Sequence, residues 1–114
     1  MNDCVFCKII KREISSTIVY EDEKVLAFRD VNPVAPVHIL VIPKKHIANI
    51  EALNNENIGI VADIHFAIKK VAEKVGISEK GYRLISNCGK EAGQTVFHLH
   101  YHLIGGKELG TGLI

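Results

Sequence analysis

The chain has no apolar run near the ~20 residues that a bilayer-spanning helix needs, which predicts a soluble protein. After Met1-Asn2-Asp3-Cys4 there is no basic segment leading into an apolar stretch. No secretory signal is read there, and the expected compartment is the cytoplasm. Clustered cations are missing too. Fourteen Lys and Arg offset thirteen Asp and Glu, for a formal net charge of +1. That balance argues against extended contact with a nucleic-acid backbone and leaves room for a small anion in one electropositive pocket. Repeats, low-complexity tracts and linkers are absent, and 114 residues suit a single domain over residues 1–114. Cysteines number only three. Cys4 and Cys7 form a Cys-x-x-Cys pair, which in a cytoplasmic protein points to metal or redox chemistry more than to a disulfide. Cys88 reads as a small strand-end residue.

What is present predicts an α+β fold. Residues 5–11 suit a short N-terminal helix. Residues 17–20 and 25–30 are β-prone runs joined by a turn at residues 21–24. Pro33 and Pro36 force a loop, and residues 37–42 form an apolar run closed by Pro43, the pattern of a buried central strand. Residues 54–75 carry the helical period through Ile58, Val61, Ile64, His65, Ile68, Val71, Ala72 and Val75, with Gly76 suited to the position after the helix. His65 in that stripe reads as a packed side chain. Residues 82–87 read as a strand, residues 89–93 as a turn and residues 96–104 as the last strand, ended by Gly105 and Gly106. The expected architecture is a five-stranded antiparallel sheet with one long helix and one short one.

The last strand holds the chemistry. His98, His100 and His102 occupy alternate positions, so in an extended chain they share one face while Leu99, Tyr101 and Leu103 take the other. Imidazole titrates near neutrality and can serve as nucleophile, proton donor or metal ligand. Neighbours two apart along a strand are ~6.6–7 Å apart and the outer pair ~13 Å. Zinc holds nitrogen at ~2.0–2.1 Å, so one ion can take two of these histidines but hardly three. The spacing therefore predicts divided roles. A neutral imidazole can attack phosphorus or carbon to give a covalent intermediate, with flanking donors meeting the developing charge. Just upstream, Gly93-Gln94-Thr95 is a turn able to cradle an anion.

The segment Gly93-Gln94-Thr95-Val96-Phe97-His98-Leu99-His100-Tyr101-His102-Leu103-Ile104 resembles the signature of the histidine triad (HIT) family. His38-Ile39-Leu40-Val41-Ile42-Pro43-Lys44-Lys45-His46 resembles its second characteristic segment, and Phe28-Arg29-Asp30-Val31-Asn32-Pro33 its nucleotide-ribose segment. Cys4-Val5-Phe6-Cys7-Lys8-Ile9-Ile10 resembles the N-terminus of zinc-carrying bacterial members. The likeness runs from about residue 4 to residue 106, and it is nearer to the Hint branch of nucleoside phosphoramidases than to the dinucleoside-polyphosphate hydrolases.

The resemblance implies a HIT-like fold and a hydrolase that cleaves nucleoside 5′-phosphoramidates or related adenylates through a nucleotidyl-histidine intermediate. His100 would be the nucleophile and His102 would contact phosphate oxygens. Gly93, Gln94 and Thr95 would hold the phosphate and leaving group, with Asn87 adding a hydrogen bond. Asp30 would accept from the ribose hydroxyls, Val31 would face a purine base, and His38 would support the histidine face from behind. Cys4, Cys7, His46 and His98 would form a structural zinc site, the alternative being an idle cysteine pair. A homodimer with joined sheets is implied, through the long helix and the 82–87 strand. Dinucleoside-polyphosphate hydrolysis and a non-catalytic nucleotide-binding adaptor are the competing functions. The tail, residues 107–114, lacks the Trp- and Pro-containing end associated with eukaryotic Hint proteins.

Overall fold

A computed structural model describes residues 3–114. Helix α1, Val5–Ile10, is capped by Cys4, whose Sγ accepts the Cys7 N–H. Strands β1, Ile18–Glu21, and β2, Val25–Arg29, pair antiparallel around a turn in which Asp22 Oδ1 accepts from the Lys24 and Val25 N–H groups. Such side-chain acceptance is why aspartate favours turns. Strand β3, Val37–Pro43, lies between β2 and the last strand and is buried along its whole length. Its unbroken apolar run follows from being covered on both faces.

Helix α2, Ile60–Lys74, starts later than the periodicity predicts. Asn54 Oδ1 accepts from the Glu56 and Asn57 N–H groups, and Asn57 Oδ1 accepts from the Asn54 N–H. These side chains give the backbone of residues 54–57 a turn in place of helical bonds. The helix ends as expected. Gly76 takes φ +82°, its N–H donates to Glu73 O, and the Ile77 N–H donates to Ala72 O, the double closure of a Schellman motif.

Strands β4, Tyr82–Ile85, and β5, Tyr101–Gly105, complete one antiparallel sheet in the order β1-β2-β3-β5-β4. This is the predicted α+β architecture: five antiparallel strands, one long helix and one short helix. The last strand is shorter than expected, however. Residues 96–100 lie outside the ladder, because continuing the Val41↔Tyr101 register would oppose Leu99 to Pro43. Proline has no N–H to give, and the Leu99 N–H donates to Ile47 O instead. Side-chain alternation nevertheless continues. Leu99, Tyr101 and Leu103 pack with Ala27, Ile39, Val41 and α2 residues Ile64, Ile68 and Val71. On the opposite face Phe6 and Ile9 of α1 pack with Leu26, Phe28, Leu40 and Ile42. The histidines occupy that second face.

Candidate active site and metal centre

His100 sits one residue before β5 and is buried. Its Nδ1 lies 2.7 Å from the His98 carbonyl oxygen. A carbonyl can only accept, so Nδ1 carries the proton and Nε2 keeps a free lone pair. The Phe6 ring meets the imidazole edge-on, with centroids 5.1 Å apart and planes at 88°. Ser86 Oγ donates to His100 O at 3.0 Å and anchors the main chain where the ladder has ended.

A second chain of bonds fixes two further tautomers. The Val34 N–H donates to His38 Nδ1 at 3.1 Å, which leaves the proton of a neutral His38 on Nε2. That nitrogen is 2.9 Å from His102 Nδ1 and 3.4 Å from Asp30 Oδ2. His102 Nδ1 accepts, and its Nε2–H is left as a free donor. Burial, then the neighbouring His100 and His38, holds His102 below the ordinary imidazole value. Asp30 Oδ1 accepts the Asn32 N–H at 2.8 Å, an Asx turn that sets the proline loop. Val31 beside it is 88% exposed, an apolar side chain with nothing covering it.

The turn expected to hold an anion offers fewer free groups than the sequence predicts. Gln94, expected among the residues that hold an anion, is buried. Its Oε1 accepts from Gly89 N and Asn49 Nδ2, and its Nε2 donates to Ala48 O and Val96 O. The Gly93 and Gln94 N–H groups close the turn onto Lys90 O and Gly89 O. A polar side chain can satisfy two main-chain strands at once, and here that is the work of Gln94. Exposed Thr95 is left to face outward. Extending the Ile85↔His102 register places half-buried Asn87 opposite His100.

The four expected metal ligands converge. Cys4 Sγ and Cys7 Sγ lie 3.4 and 3.6 Å from His98 Nδ1. His46 Nδ1 lies 3.3 Å from Cys7 Sγ and 3.2 Å from His98 Nδ1. A tetrahedron around zinc, with bonds of ~2.3 Å to sulfur and ~2.0–2.1 Å to nitrogen, has edges of about 3.6 Å between S and N and about 3.3 Å between two N atoms. The donor set therefore fits zinc in both chemistry and spacing. His98 Nε2 donates to Pro43 O at 2.7 Å, which frees Nδ1 for the ion. Burial takes the His98 pKa down to about 4, so the ring is neutral as a ligand must be. Burial also raises the Cys4 thiol, whose thiolate is favoured only with a cation beside it.

The three triad histidines are thus separated by what their Nδ1 atoms meet: the cysteine cluster for His98, a carbonyl for His100, His38 for His102. His65 stays apart, exposed on α2 with its ring edge-on to Tyr101 at 5.4 Å. A cleft of about 940 Å³ lined by Ile77, Lys80, Arg83 and Lys107 lies at the far end of β5 and contains none of the histidines. Phe6 and Ser86 were not legible as site residues. The one signal for Phe6 was its place inside Cys4-x-x-Cys7, and Ser86 had none beyond preceding Asn87.

Comparison with known proteins identifies the family and the fold. The model of the HIT domain matches residues 11–109. The purine nucleoside phosphoramidase of Escherichia coli strain K12 is 46% identical over 111 residues, covering 97% of this chain and 93% of that protein. A solved HIT family hydrolase from Clostridium thermocellum is 63% identical with a TM-score of 0.98, covering 100% of this chain and 99% of that one. A histidine triad protein from Clostridium difficile is 51% identical with a TM-score of 0.95, covering 98% and 97%. With a family match over most of its length, this chain belongs to the HIT domain family.

Proposed function

We propose that the protein is a Hint-branch hydrolase that cleaves purine nucleoside 5′-phosphoramidates, or related adenylates, with His100 as nucleophile. The observation that carries this reading is the bond from His100 Nδ1 to the His98 carbonyl, which leaves Nε2 unprotonated for attack. Nε2 would bond to the α-phosphorus as the P–N bond breaks, and the leaving nitrogen takes up a proton. Water then attacks the phosphorus of the nucleotidyl-histidine. Its P–N bond to His100 breaks, and the nucleoside monophosphate departs while the imidazole is restored. The likeness to the E. coli purine nucleoside phosphoramidase supports the substrate class.

In this reading the His102 Nε2–H donates to a phosphate oxygen as charge develops. His38 holds that tautomer through His102 Nδ1. Asp30 keeps lone pairs for the ribose hydroxyls, since a carboxylate has about four acceptor sites. Val31 offers its uncovered side chain to the base. Thr95 and Asn87 flank the phosphate, with Gly93 and Gln94 shaping the turn that presents Thr95.

Cys4, Cys7, His46 and His98 would hold a zinc ion. With four protein ligands the ion would supply structure and no open coordination position. No two cysteines are joined by a disulfide among the described residues, and a Cys-x-x-Cys pair used as metal ligands suits a reducing compartment, which supports the cytoplasm. No helix among the described residues is long and apolar enough to cross a membrane. A homodimer would join two sheets at β4, an edge strand paired on one side only, with α2 as a further interface element.

His100→Gly tests the reading. Purine nucleotide affinity should persist while hydrolysis of an adenosine phosphoramidate falls by about 10³-fold or more. Hydrolysis that survived would remove His100 as nucleophile. Turnover of a diadenosine polyphosphate as fast as the phosphoramidate would instead refute the branch assignment.

A further inference from the structure

Three groups meet the imidazole of His100: the His98 carbonyl at Nδ1, the Phe6 ring, and the His102 ring at 5.3 Å between centroids. The first two belong to residues tied to the same four-ligand centre. His98 gives that centre its Nδ1 while its carbonyl holds the nucleophile. Phe6 is bracketed by Cys4 and Cys7, and the Cys7 N–H to Cys4 Sγ bond closes the turn that carries the ring. The ring is buried and also meets His98, at 5.9 Å between centroids. Helix α1 has only six residues, too few to hold its own position by helical bonding alone.

We propose that Phe6 is a positioning residue for the nucleophile, and that metal held by Cys4, Cys7, His46 and His98 sets the alignment of His100 by seating the Phe6 ring against it. This rests on His100 being the nucleophile. The ring edge and the carbonyl meet the imidazole at different points, so together they fix both its tilt and its rotation. Losing the ring, or the metal that holds α1 against the sheet, leaves the carbonyl bond and the His102 ring on the other side as the remaining restraints. The Nε2 lone pair then swings away from the line of attack. Misplacement of a reacting atom by ~1 Å can cost ~10²-fold in rate. Substrate binding at Asp30, Thr95 and His102 is not disturbed by that swing, so the loss falls on kcat.

The test uses the full chain loaded with zinc or cobalt, Phe6→Leu and Phe6→Tyr variants, and wild type stripped by a chelator. Phe6→Leu should lower kcat for an adenosine phosphoramidate by ~10- to 100-fold with KM within about threefold. Stripped wild type should lose a similar factor. Stripped Phe6→Leu should fall no further than either single change, because both act through one contact. Phe6→Tyr, which keeps the ring, should retain most of the wild-type kcat. Cobalt-loaded Phe6→Leu should keep the visible bands of a tetrahedral thiolate site, showing that the ligands still assemble.

An unchanged kcat in Phe6→Leu with those bands intact overturns the proposal. So does a loss carried by KM, or multiplicative losses in the stripped variant. If Phe6→Leu fails to bind cobalt, the stripped wild type decides: unchanged kcat there overturns the proposal. His100→Gly separates the two ideas. Hydrolysis surviving in it sinks the nucleophile assignment, whereas hydrolysis lost there with Phe6→Leu unaffected sinks only the role of Phe6.

Discussion

The sheet has two faces built on opposite rules. Toward α2 the strands present Ala27, Ile39, Val41, Leu99, Tyr101 and Leu103, and a fifteen-residue helix covers them with Ile64, Ile68 and Val71. Toward α1 the same strands present Leu26, Phe28, Leu40 and Ile42 beside His38, His98, His100 and His102, and the cover is a six-residue helix. The first face is held by burial of apolar area. The second carries three buried imidazoles and the half-buried His102, each costly unless its nitrogens have partners, and the partners found include carbonyls, another imidazole and a cysteine cluster. One face stabilises the fold, and the other spends part of that stability on polar groups placed for chemistry.

The largest effect that would sharpen this contrast is on rate. His100→Gly should remove phosphoramidate hydrolysis while leaving the midpoint of denaturant unfolding nearly unchanged. A collapse of folding in that variant would mean that the histidine face is structural after all. On the other face Ile68→Ala should do the reverse. This side chain is fully buried, and truncation of such a residue costs about 2–5 kcal/mol. Turnover per folded molecule should stay at the wild-type level. If it falls together with stability, the two faces are coupled and the division above fails.

How much of this was visible beforehand follows the same division. The α2 face was legible, because period-two and period-3.6 apolar patterns are written in side chains. Its helix start was misplaced, since Asn54 and Asn57 cap a turn that periodicity cannot see, and His65, read into the packed stripe, lies exposed at its margin. The alternation of His98, His100 and His102 correctly separated them from Leu99, Tyr101 and Leu103. Strand bonding before Tyr101 did not follow, because it depends on which residue stands across the ladder, and Pro43 stands there. Cys4 and His46 are far apart in sequence, and resemblance rather than spacing brought them together. The inward turn of Gln94 and the contact of Phe6 with His100 are tertiary facts with no local pattern to announce them.

Acidification should load the two faces unequally. The ordinary imidazole pKa is 6.5, and burial brings His98 down to about 4, so across that interval the unfolded chain binds a proton that the metal-free fold refuses. Unfolding then takes up protons, and stability is lost as pH falls from about 6.5 toward 4. At 1.36 kcal/mol per pH unit the loss is on the order of 3 kcal/mol. Denaturant unfolding of chelator-treated protein at several pH values measures it. His98→Asn should flatten the slope. A slope of the same size in that variant would assign the acid sensitivity to other groups.

The smallest expected effect asks how α1 is kept on the sheet. Beyond the helix, Arg12 pairs with Glu21 of β1, and Lys44, just past β3, reaches the other oxygen of Glu21 at 2.7 Å. Lys44 and then Arg12 hold the Glu21 carboxyl below its usual value. This three-residue network could be read as the tie that fastens the short helix. Its members are substantially open to solvent, though, and exposed ion pairs contribute about 0–1 kcal/mol and weaken with salt. Glu21→Gln should therefore cost below about 1 kcal/mol at low salt and less at high salt, with kcat unchanged. The apolar contacts of Phe6 and Ile9 with Leu26, Phe28 and Ile42, together with the Cys4 and Cys7 ligands, would remain as the fastening. A loss of several kcal/mol, or of turnover, in Glu21→Gln would show that charge at the sheet edge holds the chemical face in place.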